Sequence, residues 1–170
     1  MGASESSPEV RYKRELLKLS WRLALTIQDQ AVTKKSSSAL DEQKSKAAMT
    51  FRSDKMYKPF HVDFEVQFFK YCPDLSKKFP TDFSLVSRMI QTFVTKAIES
   101  KSVGELAKRF SKSHQKYRLK QEHFNGFSEA LVDTLQVRLG KFGTIELIKI
   151  WREVTDALVS VMQREYNSSR

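Results

Sequence analysis

The stretch Leu106-Ala107-Lys108-Arg109-Phe110-Ser111-Lys112-Ser113-His114-Gln115-Lys116-Tyr117-Arg118-Leu119 decides the reading of this chain. Leu106, Phe110 and His114 are four apart, a spacing that stacks side chains on one face of a helix. The apolar stripe therefore ends in an imidazole, and the pattern breaks within a few residues. A second apolar run opens at Phe124 and continues through Phe127, Ala130, Leu131, Thr134 and Leu135. Alone, a histidine at the end of an apolar face is more often a core or helix-end residue than a metal ligand. A stronger reading has to come from the rest of the chain.

Composition sets the outer bounds. A chain of 170 residues suits one domain with a sizeable core. Apolar residues make up 40%, with 12 Phe against five Gly and four Pro, the profile of a packed helical domain rather than a sheet or a disordered chain. The single cysteine, Cys72, excludes an internal disulfide and fits a reducing compartment. No apolar run approaches the ~18 residues of a membrane span, and the polar N-terminus lacks the apolar stretch of a secretory signal. The expected setting is intracellular. Paired catalytic carboxylates, a nucleophile motif and a phosphate loop are all missing, so an enzyme has little support.

The formal charge is +10, but Lys and Arg are spread among 20 acidic residues without a block of five or six. This reads as a solvated surface. The aromatics keep core-like helical spacing instead of interleaving with a basic element, so no nucleic-acid partner is expected. Met1-Gly2-Ala3-Ser4-Glu5-Ser6 matches the short N-myristoylation pattern with Gly2 as acceptor; a plain tail is the simpler reading. One acyl chain binds a membrane only marginally, and Arg11, Lys13, Arg14 and Lys18 would add attraction to an anionic membrane surface. The expected location is cytoplasmic, peripheral at the inner face of the plasma membrane if Gly2 is acylated.

Along the chain, residues 1–8 read as a tail and 9–27 as an amphipathic helix. Leu16, Leu19, Leu23 and Ile27 share a face there, with Leu17 and Trp21 beside it. Residues 28–58 are poor in apolar side chains and read as an inserted loop, with a short helix near 39–49. Pro59 starts an element marked by Phe60, Phe64, Phe68 and Phe69, which Tyr71-Cys72-Pro73-Asp74-Leu75 breaks before Lys78-Phe79-Pro80. A helix over 82–100, capped by Thr81 or Asp82, aligns Leu85, Met89, Phe93 and Ala97, with Val86 and Ile90 adjacent. Two long helices over 124–139 and 144–166 follow, with Gly140 suited to the C-cap between them. His123 reads as a surface or cap residue.

A helix ending in histidine, a short basic turn and a second apolar helix resembles the way a globin holds its haem iron. The resemblance to the globin family covers about 9–27 and 59–166. Trp21 resembles the tryptophan that packs the first helix on the last. Pro73 stands where the family has a helix-starting proline, and Phe79, six residues on, matches the near-invariant phenylalanine that stacks on the porphyrin. The runs Phe127–Leu135 and Trp151, Val154, Leu158, Val161, Met162 resemble the last two helices. The insert at 28–58 departs from the family pattern.

The resemblance implies an all-α globin fold over 9–167, a three-over-three helical sandwich around a haem pocket. It implies haem b (iron protoporphyrin IX) as cofactor and His114 as the iron ligand, its second ring nitrogen needing an acceptor. Phe79, Phe110, Leu119 and Phe124 would contact the macrocycle. On the far face one register places Met89 over the iron and Leu85 at the usual distal-histidine position; a one-residue shift gives Ile90 and Val86. Neither supplies a histidine. An apolar distal side would favour neutral diatomic gases and release oxygen faster. Glu65 falls where the family keeps an apolar residue, so it is expected to turn to solvent with Phe64 or Phe68 inward. The implied function is reversible binding of oxygen or another diatomic ligand, in oxygen transport, sensing or redox signalling. The alternative is a haem-free globin-like interaction module recruited to membranes by N-terminal acylation.

Overall fold

The computed structural model describes residues 7–26, 59–79, 83–100 and 103–169. Among them lie six α-helices and no strand: α1 (Pro8–Thr26), α2 (Phe60–Tyr71), α3 (Phe83–Glu99), α4 (Gly104–His114), α5 (Gln121–Leu139) and α6 (Ile145–Ser168). Short 3-10 turns at Pro73–Leu75, Gln115–Tyr117 and Gly140–Phe142 join them. The expectations on Gly2, on the insert and on the caps Thr81 and Asp82 fall outside the described residues.

Helix α5 is the central element, packed on α2 along one side and on α6 along another. Helix α4 closes on α6, while α1 bridges α3, α5 and α6. Phe60, Phe64 and Phe68, four apart on α2, form a ladder of stacked rings 5.7 and 5.5 Å apart, buried against α5. The crossing is close because α5 carries Gly126 there. A Cβ at that position would overlap Cys72 Sγ and lie 3.2 Å from Tyr71 Cβ.

The two tryptophans lock α1 onto the bundle. Their rings lie 5.9 Å apart, and each buried indole finds an acceptor. Trp21 Nε1 donates to Thr95 Oγ1 (2.8 Å) on α3, and Trp151 Nε1 donates to Ser20 Oγ (2.9 Å). This sets the rotation of α1: Leu17, Ser20, Trp21 and Ala24 are buried, whereas Leu19 is exposed. The stripe through Leu19 expected from periodicity is corrected, because indole packing and the Ser20 bridge turn the helix by part of a turn.

A charged tie sits inside the same region. Arg138 on α5 donates from Nη1 to Asp63 Oδ2 (2.9 Å) on α2 and from Nε to the Ala24 carbonyl of α1, with its guanidinium 5.8 Å from the Phe60 ring centroid. Gly140 caps α5 at φ +51, a conformation that favours glycine, as its place between the two long helices predicted. Among the described residues no helix is long and apolar enough to cross a membrane.

Candidate functional site

The buried side chains form two clusters. One gathers α1, α2, α3 and the later half of α5 with Trp151; the other gathers Ala107, Phe124 and the second half of α6. Phe93 and Phe127 pack against both. These two rings mark the seam between the clusters, and further partly buried apolar residues pack on either side: Phe79, Val86 and Ile90 against the first cluster, Phe110 and Leu119 against the second.

His114 terminates α4 beside this seam. Its ring stacks on Phe110, centroids 4.0 Å apart and planes 18° apart, and Phe110 in turn touches Phe93 (6.3 Å) and Phe124 (6.0 Å). Nδ1 lies 2.9 Å from the Phe110 carbonyl oxygen and 2.8 Å from Ser113 Oγ, whose hydroxyl itself donates to that carbonyl (2.9 Å). A carbonyl oxygen only accepts, so a bare Nδ1 lone pair at that distance would repel it. The proton therefore belongs on Nδ1, and the Nε2 lone pair is left for a metal. Burial pushes the His114 pKa below its ordinary 6.5; the Phe110 carbonyl partly opposes this and Lys116 adds to it. The neutral imidazole is the form that ligates.

The far end of α6 holds this segment in place. Gln115 Nε2 donates to the Tyr166 carbonyl (2.9 Å), the Leu119 amide donates to the buried Tyr166 hydroxyl (2.8 Å), and Ser111 Oγ donates to the Glu165 carbonyl (3.2 Å). The chain then turns through Arg118 at φ 50 before α5. Tyr166 was visible only as the next step of the α6 apolar period after Met162. The Phe110 carbonyl, a backbone group, leaves no trace in sequence.

Phe79 meets Phe68, Phe69 and Phe83 edge-on at 5.4–5.7 Å, on the side of the seam opposite α4. On α3 the inward positions are Phe83, Val86, Ser87, Ile90, Phe93 and Val94. Leu85 and Met89 are 55% and 61% exposed, so the register that set them over the seam is corrected to the shifted one. The reason is packing: Phe83 and Ser87 are buried, and a residue two positions on from each falls near the opposite side of the helix. On α2, Phe64 and Phe68 point inward and Glu65 stands half-buried at the edge.

A second histidine cluster has a different explanation. His123, expected at the surface or as a cap, is buried; its Nδ1 accepts the Lys120 amide (3.0 Å) and its Nε2 lies 2.9 Å from Asp74 Oδ2, near Glu122. With Nδ1 accepting, Nε2 carries the proton and donates, so one nitrogen caps α5, the other ties it to the 73–75 turn, and no lone pair is left for a metal.

In its donor chemistry, a neutral imidazole oriented at a helix end with its Nε2 lone pair left over suits an iron-bearing group, and apolar side chains surround it. The family model described as Globin matches residues 66–162, and the chain belongs to the globin family. A comparison with curated proteins gave no match.

Proposed function

We propose that this globin binds haem b through His114 Nε2 and reversibly takes oxygen or another neutral diatomic ligand. The observation that carries the reading is the Nδ1 hydrogen bond to the Phe110 carbonyl, which pre-sets the ligating tautomer without help from another element. When bound, haem supplies the iron centre at which a diatomic ligand is held.

The chain's own residues do the rest. Phe110 fixes the plane of the imidazole, while Phe79, Leu119 and Phe124 offer apolar contact to the macrocycle. Val86 and Ile90 face the seam from α3 and carry no donor, so nothing on those two positions discriminates by hydrogen bonding. This favours small neutral ligands held loosely, the property shared by transport, sensing and redox signalling. The test is the visible spectrum of the full chain expressed with haem supply. A Soret band lost in His114→Ala, and restored in His114→Gly by added imidazole, is the expected result. Absence of any Soret band would leave the haem-free interaction module in its place.

A further inference from the structure

Half of the chain's net charge sits on one short segment. Residues 104–120 hold six Lys or Arg and one Glu, a surplus of +5 in a chain of +10. All six basic side chains are exposed. Lys108 pairs with Glu105 (3.2 Å) and Lys120 with Glu122 (3.4 Å). Arg109, Lys112, Lys116 and Arg118 have no carboxylate within salt-bridge distance among the described residues. Arg109 and Lys112 are three apart and Lys116 four further on, so they follow one edge of α4 into the turn beyond. The opposite side of α4, through Ala107 and Ser111, is buried on α6.

Helix α1, where the sequence suggested attachment, is weaker. Its Lys13 is paired with Glu9 (3.1 Å) and its Lys18 with Glu15 (3.0 Å), which leaves two of the four cations suggested there, Arg11 and Arg14, against four on the α4 edge. The α4 row also ends in an amphipathic aromatic: Tyr117 is 42% exposed, with Lys116 Nζ 5.0 Å from its ring centroid. Tyrosine beside a basic side chain suits a membrane–water boundary.

We propose that the outer edge of α4 and the turn through Arg118 is a docking surface for a membrane face rich in anionic lipid. Four cations held by no carboxylate suit a laterally mobile plane of phosphates better than a fixed constellation of carboxylates on a protein. Docking there would bring the membrane against the helix that carries His114. The proposal does not depend on haem.

The full chain is sedimented with vesicles of phosphatidylcholine alone or with about a third phosphatidylserine. Binding is expected only with phosphatidylserine and is expected to vanish as salt rises from about 0.1 to about 0.5 M. Each cation near such a surface contributes about fivefold, so Arg109→Gln, Lys112→Gln, Lys116→Gln and Arg118→Asn together should weaken binding several hundredfold. Arg11, Lys13, Arg14 and Lys18 changed together to Gln should weaken it less than about tenfold. Circular dichroism checks folding; if the fourfold variant does not fold, Arg109→Gln with Lys112→Gln should still lose about twenty-five-fold. No vesicle binding, or an equal loss in the α1 set, overturns the proposal. Binding to polyglutamate but not to vesicles overturns it in favour of an acidic protein partner.

Discussion

The Nδ1 atom of His114 lies 2.9 Å from the carbonyl oxygen of Phe110, one helical turn earlier. Phe110 thus acts twice: its backbone sets the tautomer, and its ring, stacked at 4.0 Å, sets the plane. Both come from a single i to i+4 relationship at the end of α4. The imidazole is oriented before any guest arrives.

The same burial makes His114 acid-sensitive. The unfolded chain takes up this proton near pH 6.5, whereas the folded chain does so only lower down. Stability attached to the neutral ring is complete above about pH 6.5 and is lost as pH falls from there through the folded value. Asp74, held below its ordinary 3.8 by the hydrogen bond from His123, loses its contribution only in a more acidic window. The urea midpoint of the haem-free chain should fall between about pH 7.5 and about pH 5.5, and His114→Gln should flatten that fall. An unchanged slope in the variant would show that other groups carry the effect.

The orientation of α3 yields a paired test. Leu85 is exposed, so Leu85→His should cost less than ~0.5 kcal/mol and leave the visible spectrum of haem-loaded protein unchanged. Val86 faces the seam, so Val86→His should cost ~1–3 kcal/mol in the haem-free chain by placing a polar ring among apolar ones. It should also alter the spectrum of the loaded protein. A spectral change from Leu85→His alone would restore the discarded register.

Much of the architecture was legible in sequence because it rests on periodicity. The aromatic ladder on α2, the apolar run of α5 and the stripe ending at His114 all declare their faces through spacing of three and four. Rotational detail was not legible where two adjacent residues are both apolar. Leu85 against Val86 on α3, and Leu16 and Leu19 against Leu17 on α1, are decided by contacts with residues distant in sequence: the packing of Phe83 on Phe64 and Phe69, and the Ser20–Trp151 hydrogen bond. Backbone acceptors such as the Phe110 carbonyl have no residue code at all. The charge row on α4 was obscured because its lysines and arginines are separated by core residues that folding turns inward.

The α2–α5 crossing depends on Gly126, where an added Cβ would overlap Cys72 Sγ. Gly126→Ala should destabilise by ~1–3 kcal/mol, since a close-packed crossing yields only by separating the helices. In a Cys72→Ala background the sulfur is gone, and the same change should cost less. A double-mutant cycle by urea unfolding measures the difference. Burial raises the Cys72 thiol to about 11, so it should also resist alkylation at about pH 8 until the chain unfolds. Additive costs in the cycle would mean that Tyr71, not Cys72, sets the approach.

Arg138 and Asp63 form an ion pair whose side chains are 3% and 11% exposed. Breaking a buried ion pair from one side is strongly destabilising, so Asp63→Ala should cost ~3–5 kcal/mol. Replacing both, as Asp63→Leu with Arg138→Met, exchanges the pair for apolar packing and should recover part of that loss. Full recovery is not expected, because Arg138 also donates to the Ala24 carbonyl near the end of α1. Chemical unfolding of the two variants and the parent decides the matter. If Asp63→Ala cost less than ~1 kcal/mol, water would have to reach the guanidinium, and the three-helix tie would contribute no more than a surface pair.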